Sequence, residues 1–450
     1  MKALIGAVVT LAAVSPLASQ EPAAHPNFVI MMCDDQRWDQ MSCAGNKILK
    51  TPNMDRIGNE GIRFTNAFVT NALCAPSRAT FLTGTYSHKN GVIDNRNRPI
   101  SREVPFMPDL LRAAGYDVAF CGKSHVNNVL RDRTWDYYFG YKGQGRYDKP
   151  VIAEGTDGKD VVHEGWMDDV VTGKAVEWLK KKREKPFCLF LWFKAPHRSW
   201  DRAPRHKDLY SDIEVPKPAL WDDPGQGKPK AFLEADNKVG SFKDVADYQK
   251  FVKDFYAVIV GADENIGRVF DVLKETGRLD DTVMMHTGDN GFFMGEWNRF
   301  DKRFMHEVSI RVPLVIRYPR MIKAGSICDR MAINVDWAPT ILGLAGVEAP
   351  KAMQGRSLVP LLKGEKADWR KDWYYHYYEW PDAHKVRAHR GVRTERHKLI
   401  HYTAEPQEWE LYDLEKDPEE RKNLHGDPAA ADLEKQLNAR LEELGRELGE

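Results

Sequence analysis

Five short apolar runs punctuate the chain, at residues 28–33, 118–121, 187–193, 282–286 and 312–318. Each is too short for a helix and lacks the polar alternation of a strand with one wet face. Each therefore predicts a strand buried on both sides, as in a parallel sheet. Helix-like stretches lie between them. Residues 108–114 begin on Pro108 and stop at Gly115, residues 167–182 carry Val170, Val171, Val176 and Leu179 along one stripe, and residues 247–275 form a long amphipathic run before Gly277. Strands alternating with helices predict an α/β fold with a mainly parallel sheet between helices.

The polar residues that follow these runs are distinctive. Asp34-Asp35 follow the first, Gly122-Lys123-Ser124-His125 the second, Pro196-His197 the third and Asp289-Asn290 the fourth. In an open parallel sheet, ligand sites lie beyond the carboxyl ends of the strands, so four segments distant in sequence are expected to converge on one crevice. Taken singly, an Asp-Asp pair is as readily a turn or a helix cap, and a lone Lys or His at a strand end is more often structural. Together, the carboxylates of Asp34, Asp35 and Asp289 with the amide oxygen of Asn290 form an all-oxygen donor set. That set suits a hard cation, Ca²⁺ or Mg²⁺, rather than Zn²⁺.

The bulk properties narrow the partners and the compartment. Lys+Arg and Asp+Glu both number 66 in 450 residues, so no basic excess points to nucleic acid and no polybasic block to an anionic membrane. Residues 1–19 read as a signal peptide: Lys2, an apolar stretch over 3–14 too short to span a bilayer, then small residues at Ala18-Ser19. Export to the periplasm or beyond the cell is expected, and no other run is apolar and long enough for a membrane span. Export permits disulfides, yet Cys33, Cys121 and Cys188 sit in or beside apolar strand runs and are expected to be buried thiols. Near residue 365 the texture changes. Residues 373–380 are aromatic-rich, 391–402 alternate, and 429–448 form an amphipathic helix pattern. We expect a main catalytic domain over 25–365 and a C-terminal α+β subdomain over 366–450, with a small antiparallel sheet and a terminal helix. Residues 200–241, rich in Pro, Asp and Lys, read as a long surface excursion.

Between the first and second strands lies Leu73-Cys74-Ala75-Pro76-Ser77-Arg78, followed by Thr83-Gly84. This C-x-P-S-R string with its downstream Thr-Gly resembles the signature of the type I sulfatases; the alternative is a buried cysteine before a Pro-started helix. The resemblance implies an alkaline-phosphatase-like core, and implies that a maturase oxidises Cys74 to formylglycine, an aldehyde that works as its hydrate. It further implies one Ca²⁺, with Mg²⁺ as second choice, held by Asp34, Asp35, Asp289, Asn290 and the modified Cys74. The family pattern G-K-x-H matches Lys123 and His125, and the strand-end Pro-His matches His197. Lys302 stands in Asp301-Lys302-Arg303-Phe304-Met305-His306-Glu307, where His306 takes a place the family gives to an aromatic residue. Arg78 falls one helical turn after Cys74 and faces the same way.

The residue types suit cleavage of a sulfate ester. Attack on sulfur builds charge on the sulfate oxygens and on the leaving alkoxide. A metal, Arg78, Lys123 and Lys302 answer the first need, and a proton donor, His197 with Lys302, the second. Each well-placed group contributes ~2.7–4 kcal/mol by analogy with an oxyanion-hole donor. A thiolate nucleophile would leave a thiosulfate that is hard to release. One hydroxyl of an aldehyde hydrate attacks sulfur instead, and a base, by resemblance His125, deprotonates the other so that the carbonyl reforms and expels sulfate.

The resemblance runs over about residues 27–425. Asp136-Tyr137-Tyr138, Gly143-Gln144-Gly145-Arg146-Tyr147, Lys194-Ala195-Pro196-His197-Arg198 and His389-Arg390-Gly391-Val392-Arg393-Thr394 resemble bacterial N-acetylglucosamine-6-O-sulfatases. A sulfated carbohydrate is the implied substrate, and His389 is expected to reach its sugar from the C-terminal subdomain. Where relatives read G-E-H-G, this chain has Gly295-Glu296-Trp297-Asn298, a departure expected beside the active site. The rival readings are a phosphatase or phosphonate monoester hydrolase on the same fold, a sulfatase for another polysaccharide, and a non-catalytic carbohydrate binder. The last should have lost charged positions, yet every matched position is filled.

Overall fold

A computed structural model describes residues 25–96, 98–125, 133–236, 242–382 and 384–450. The leader read over 1–19 lies outside the described residues. Ten strands build the main sheet: β1 (Asn27–Cys33), β2 (Ile62–Phe64), β3 (Asp117–Lys123), β4 (Tyr137–Tyr141), β5 (Val151–Glu154), β6 (Asp160–Val162), β7 (Phe187–Trp192), β8 (Thr282–Gly288), β9 (Leu314–Arg317) and β10 (Ser326–Cys328). Their order is β10-β2-β9-β8-β1-β7-β3-β4-β5-β6.

β1 is the centre of this sheet because it has no polar face to expose. Phe28, Ile30 and Met32 enter the apolar core on one side, while Val29, Met31 and Cys33 enter the core on the other. Burying each of the large apolar side chains stabilises the fold by about 1.5–3 kcal/mol. β1 runs parallel to both β7 and β8, and β7 runs parallel to β3, so these four strands end on the same edge. The fifth apolar run departs from expectation: β9 pairs antiparallel with β8. No crossover helix separates the two. The chain turns back through a two-stranded ribbon, Phe293–Met294 against Phe300–Asp301, and the short helix Glu307–Ile310, and a return without a crossover gives an antiparallel neighbour.

Helices α1 (Pro52–Asn59), α2 (Cys74–Thr83), α3 (Met167–Lys180) and α4 (Val245–Glu275) flank the sheet, α2 on one face and the other three on the opposite one. The Asp244 carboxylate caps α4 by accepting from Asp247 N at 2.8 Å, which contributes about 1 kcal/mol. The C-terminal region forms an antiparallel sheet, β11 (Asp372–Tyr377), β12 (His389–Thr394), β13 (His397–Tyr402) and β14 (Glu408–Asp413), with α5 (Ala431–Leu448) packed on it. Its apolar residues Tyr374, Val392 and Leu411 share one continuous core with α2 and β1, and Trp373 stands 5.3 Å from Phe68 of the main domain. The excursion is also less superficial than its composition suggests. Leu220, Lys228, Ala231 and Phe232 are buried. All six cysteines are free thiols.

Candidate active site

The strand ends knit into one floor. Asp34 N donates to Ala195 O at 2.9 Å, Asp289 N to Cys33 O at 3.1 Å, and Asp35 N to Asp289 Oδ1 at 3.0 Å. Asp35 adopts φ 73°, a left-handed conformation that costs a non-glycine residue energy, and such outliers cluster at functional sites. At the end of β3, Gly122 has φ 114°, and a Cβ there would meet Trp192 O at 1.9 Å. Only glycine lets β3 approach β7 so closely and then deliver Lys123 and His125 to the same edge.

The opposite wall is the N-terminus of α2, all of whose residues are buried. Cys74 opens this helix, and its Sγ lies 3.4 Å from Asp34 Oδ1 and 3.3 Å from Lys302 Nζ. One turn on, Arg78 places Nε 2.9 Å and Nη2 2.8 Å from Asp289 Oδ2, and Nη1 donates to Lys123 O at 2.7 Å. Lys123 pairs with Asp34, and Lys302 with Asp35. Asn290 Nδ2 donates to Asp35 Oδ1 at 2.7 Å.

The carboxylates of Asp34, Asp35 and Asp289 each bring an oxygen within 4.8 Å of the others. Asp35 Oδ2 and Asn290 Oδ1 are buried with no hydrogen-bond partner. Orphaned oxygens beside clustered carboxylates fit a hard divalent cation. Burial and neighbouring Asp34 push Asp289 up to about 7. Burial acts the same way on Asp34, but the cations Lys123, Arg78 and Lys302 outweigh it and hold that carboxyl well below its ordinary value. Burial and Asp34 raise the Cys74 thiol well above a normal cysteine, so as encoded it is a poor nucleophile at neutral pH. Burial opposes the charge on Lys302, yet Asp35 and its neighbours raise its affinity for a proton.

Two imidazoles complete the set. Burial and Lys123 depress both His125 and His197, keeping them neutral. His197 Nδ1 donates to Arg198 O at 2.8 Å, and its Nε2 stands 3.9 Å from Asp35 Oδ2. His125 Nε2 accepts from the Gln144 amide at 3.1 Å, while Gln144 Oε1 accepts from Lys123. Above the floor opens a cavity of about 460 Å³ lined by Gln144, His197, Arg198, Asp301, Lys302, Arg303 and His384.

All the metal and catalytic residues singled out from the sequence therefore meet at one place. His389 does not. It is buried in β12 among Tyr375, Tyr377, Tyr402 and Phe304, with ring centroids 5.1 to 6.1 Å away, and its Nδ1 donates to Arg387 O. With no exposed surface it is a core histidine, and the expected sugar contact is corrected. Trp297 does not line that cavity: its ring is buried against Phe232 and His306. Sequence reasoning missed Gln144, Asp301, Arg303 and His384 as site residues. Gln144 stood between two glycines, a signal for a tight approach, whereas His384 carries no local pattern.

A family model described as Sulfatase matches residues 26–347, and one described as N-sulphoglucosamine sulphohydrolase, C-terminal, matches residues 295–447. The N-acetylglucosamine-6-O-sulfatase of Bacteroides thetaiotaomicron is 40% identical, over 94% of this chain and 87% of its own. The human N-acetylglucosamine-6-sulfatase is 28% identical, over 77% of this chain and 66% of its own. Among solved structures, a protein in complex with its substrate D-glucosamine-2-N,6-O-disulfate matches with a TM-score of 0.89 at 38% identity, over 94% of this chain and 98% of that one. The phosphonate monoester hydrolase of Agrobacterium radiobacter matches with a TM-score of 0.79 at 22% identity, over 94% and 96%, a likeness of fold alone.

Proposed function

The chain belongs to the sulfatase family, and from that premise we propose that it removes the 6-O-sulfate from N-acetylglucosamine or glucosamine units of a sulfated glycan. The observation that carries the reading is Cys74 at a buried helix N-terminus, facing Asp34 and Lys302. The relative named for N-acetylglucosamine 6-sulfate and the solved neighbour with a 6-O-sulfated glucosamine support the sugar. The alkaline-phosphatase-like core, with its ligand edge at the strand ends, suits chemistry on a tetrahedral anion.

Within this reading Cys74 is converted by a maturase to formylglycine, whose hydrate supplies an oxygen nucleophile that the encoded thiol lacks. Asp34, Asp35, Asp289, Asn290 and the modified Cys74 would hold Ca²⁺, which supplies Lewis-acid polarisation of a sulfate oxygen when bound. Arg78 holds the Asp289 carboxylate in place through two close contacts. Lys302, whose affinity for a proton is raised by Asp35, and Lys123 beside it face the anionic group with fixed positive charge, which costs no reorganisation as charge develops. His197 fixes its tautomer through Arg198 O, leaving Nε2 to take the proton that the attacking hydroxyl gives up and return it to the departing sugar oxygen. His125, oriented by Gln144, serves the release step as base. Asp301, Arg303 and His384 at the cavity mouth offer hydrogen-bonding groups to the sugar hydroxyls. The leader over 1–19 supports action outside the cytoplasm, in the periplasm or secreted.

The test is sulfate release from N-acetylglucosamine 6-sulfate beside phosphate release from N-acetylglucosamine 6-phosphate. Faster turnover of the sulfate ester is expected. Faster turnover of the phosphate would move the assignment to the phosphatase reading, which the multifunctional alkaline phosphatase superfamily protein of Trinickia caryophylli, 28% identical over 94% of this chain, makes a real competitor.

A further inference from the structure

Three features have no part in the chemistry above: His306 in place of an aromatic residue, Trp297 in the G-E-x-x stretch, and a buried lysine, Lys228, on the excursion. They meet in one hub. Lys228 Nζ donates to His306 Nε2 at 2.8 Å, to Tyr412 OH at 2.6 Å and to Glu410 Oε2 at 3.3 Å, which uses all three of its protons. The same ammonium lies 4.5 Å from the Trp297 ring centre and 4.9 Å from that of Phe232. Glu410 also accepts from Tyr402 OH at 2.5 Å and from Tyr412 OH. Lys228 and Glu410 have no exposed side-chain surface. Burying a charged pair carries a desolvation cost that an apolar pair of the same volume avoids, so packing alone does not explain the hub.

The hub grips the segment that carries Lys302. From Arg303 to Glu307 that segment is tied at nearly every residue: Tyr375 OH donates to Arg303 O at 2.7 Å, Lys398 Nζ to Met305 O at 2.8 Å, and Glu307 N to Glu420 Oε2 at 2.7 Å. Those ties come from the C-terminal sheet and the residues following it. Lys228 adds one from the excursion, and Phe232 beside it packs on Phe304 at 4.9 Å. The excursion is itself anchored, for Trp297 N donates to Leu220 O at 2.8 Å and Lys230 N and Ala231 N donate to Glu408 of β14 at 2.9 and 2.7 Å. The segment is thus clamped between two elements with Lys302 at its tip.

We propose that Lys228 is a positioning residue for Lys302, acting through His306 and Glu410 to hold the 301–307 segment against Cys74; this rests on the sulfatase reading of the site. The test is a double-mutant cycle on the full chain, with Cys74 modification matched by mass, read as kcat and KM on N-acetylglucosamine 6-sulfate. Wild-type turnover in that assay tests the sulfatase reading by itself. Lys228→Met is expected to lower kcat by about 10- to 100-fold while KM shifts less than about threefold, the signature of a misplaced group rather than of lost binding. In a Lys302→Ala background the same change is expected to add little, because its effect runs through Lys302. Should Lys228→Met not fold, His306→Phe keeps a ring in the hub, removes the acceptor and leaves the Lys228–Glu410 pair intact, with the same non-additivity expected. Equal losses with and without Lys302, or unchanged kcat in the folded variants, would overturn the proposal.

Discussion

Lys302 Nζ lies 3.3 Å from Cys74 Sγ, although the two residues are 228 positions apart. One comes from the first turn of a buried helix, the other from a loop tied to the C-terminal sheet. The proposed nucleophile position and its nearest cation are therefore supplied by elements that must both be in place before the site exists.

Removing that cation should cost rate more than structure. Lys302→Ala is expected to lower kcat by about 10²–10³-fold, as for loss of one preorganised donor, with an unchanged circular dichroism spectrum. Steady-state kinetics on N-acetylglucosamine 6-sulfate checks this.

The carboxylate cluster should reveal its cation through stability as well as activity. Ca²⁺ at about 100 times its Kd is expected to stabilise the fold by about 2.7 kcal/mol, seen as a rise in Tm that excess EDTA reverses. In Asp289→Ala the rise should vanish. A Tm indifferent to Ca²⁺ would argue against the site.

Arg78 is fully buried against Asp289 and Asp34. Arg78→Met leaves the buried Asp289 carboxylate without its strongest partner, and a loss of about 3–5 kcal/mol is expected in urea unfolding.

His389 offers a pH test. Burial lowers it to about 3, against about 6.5 in the unfolded chain. The unfolded state binds the extra proton between these values, so this contribution to stability is complete above about pH 6.5 and declines as pH falls toward 3. Between pH 7.5 and 5 the loss from this residue is about 2 kcal/mol. His389→Phe should flatten that decline by the same amount and leave kcat and KM within about twofold, as befits a core residue. Urea titrations at the two pH values check the first, and kinetics the second.

At the cavity mouth, His384→Ala is expected to raise KM for the sulfated sugar more than it lowers kcat, because His384 lines the opening and makes no contact with Cys74. An unchanged KM would remove His384 from the sugar contacts.

The central strands and the meeting of the candidate residues at their ends were legible because β1, β3, β7 and β8 are apolar on both faces and their polar successors stand immediately after them. β2, β5, β6 and β10 were not, being three or four residues long and lying toward the sheet edges, where burial leaves little pattern. The direction of β9 depends on the connection before it, which no property of the strand encodes. His389 misled because its neighbours in sequence look polar, whereas its neighbours in space are four aromatic rings from two strands and the Lys302 loop. The mouth residues Arg303 and His384 are brought together only by the fold, 81 positions apart in the chain and side by side in the cavity lining.

The most direct test of the account is the mass of the peptide containing Cys74, taken from protein that is releasing sulfate from N-acetylglucosamine 6-sulfate. The account predicts a peptide lighter by the difference between a thiol and an aldehyde, with activity proportional to its fraction. Full activity in protein whose Cys74 remains entirely a thiol would contradict it.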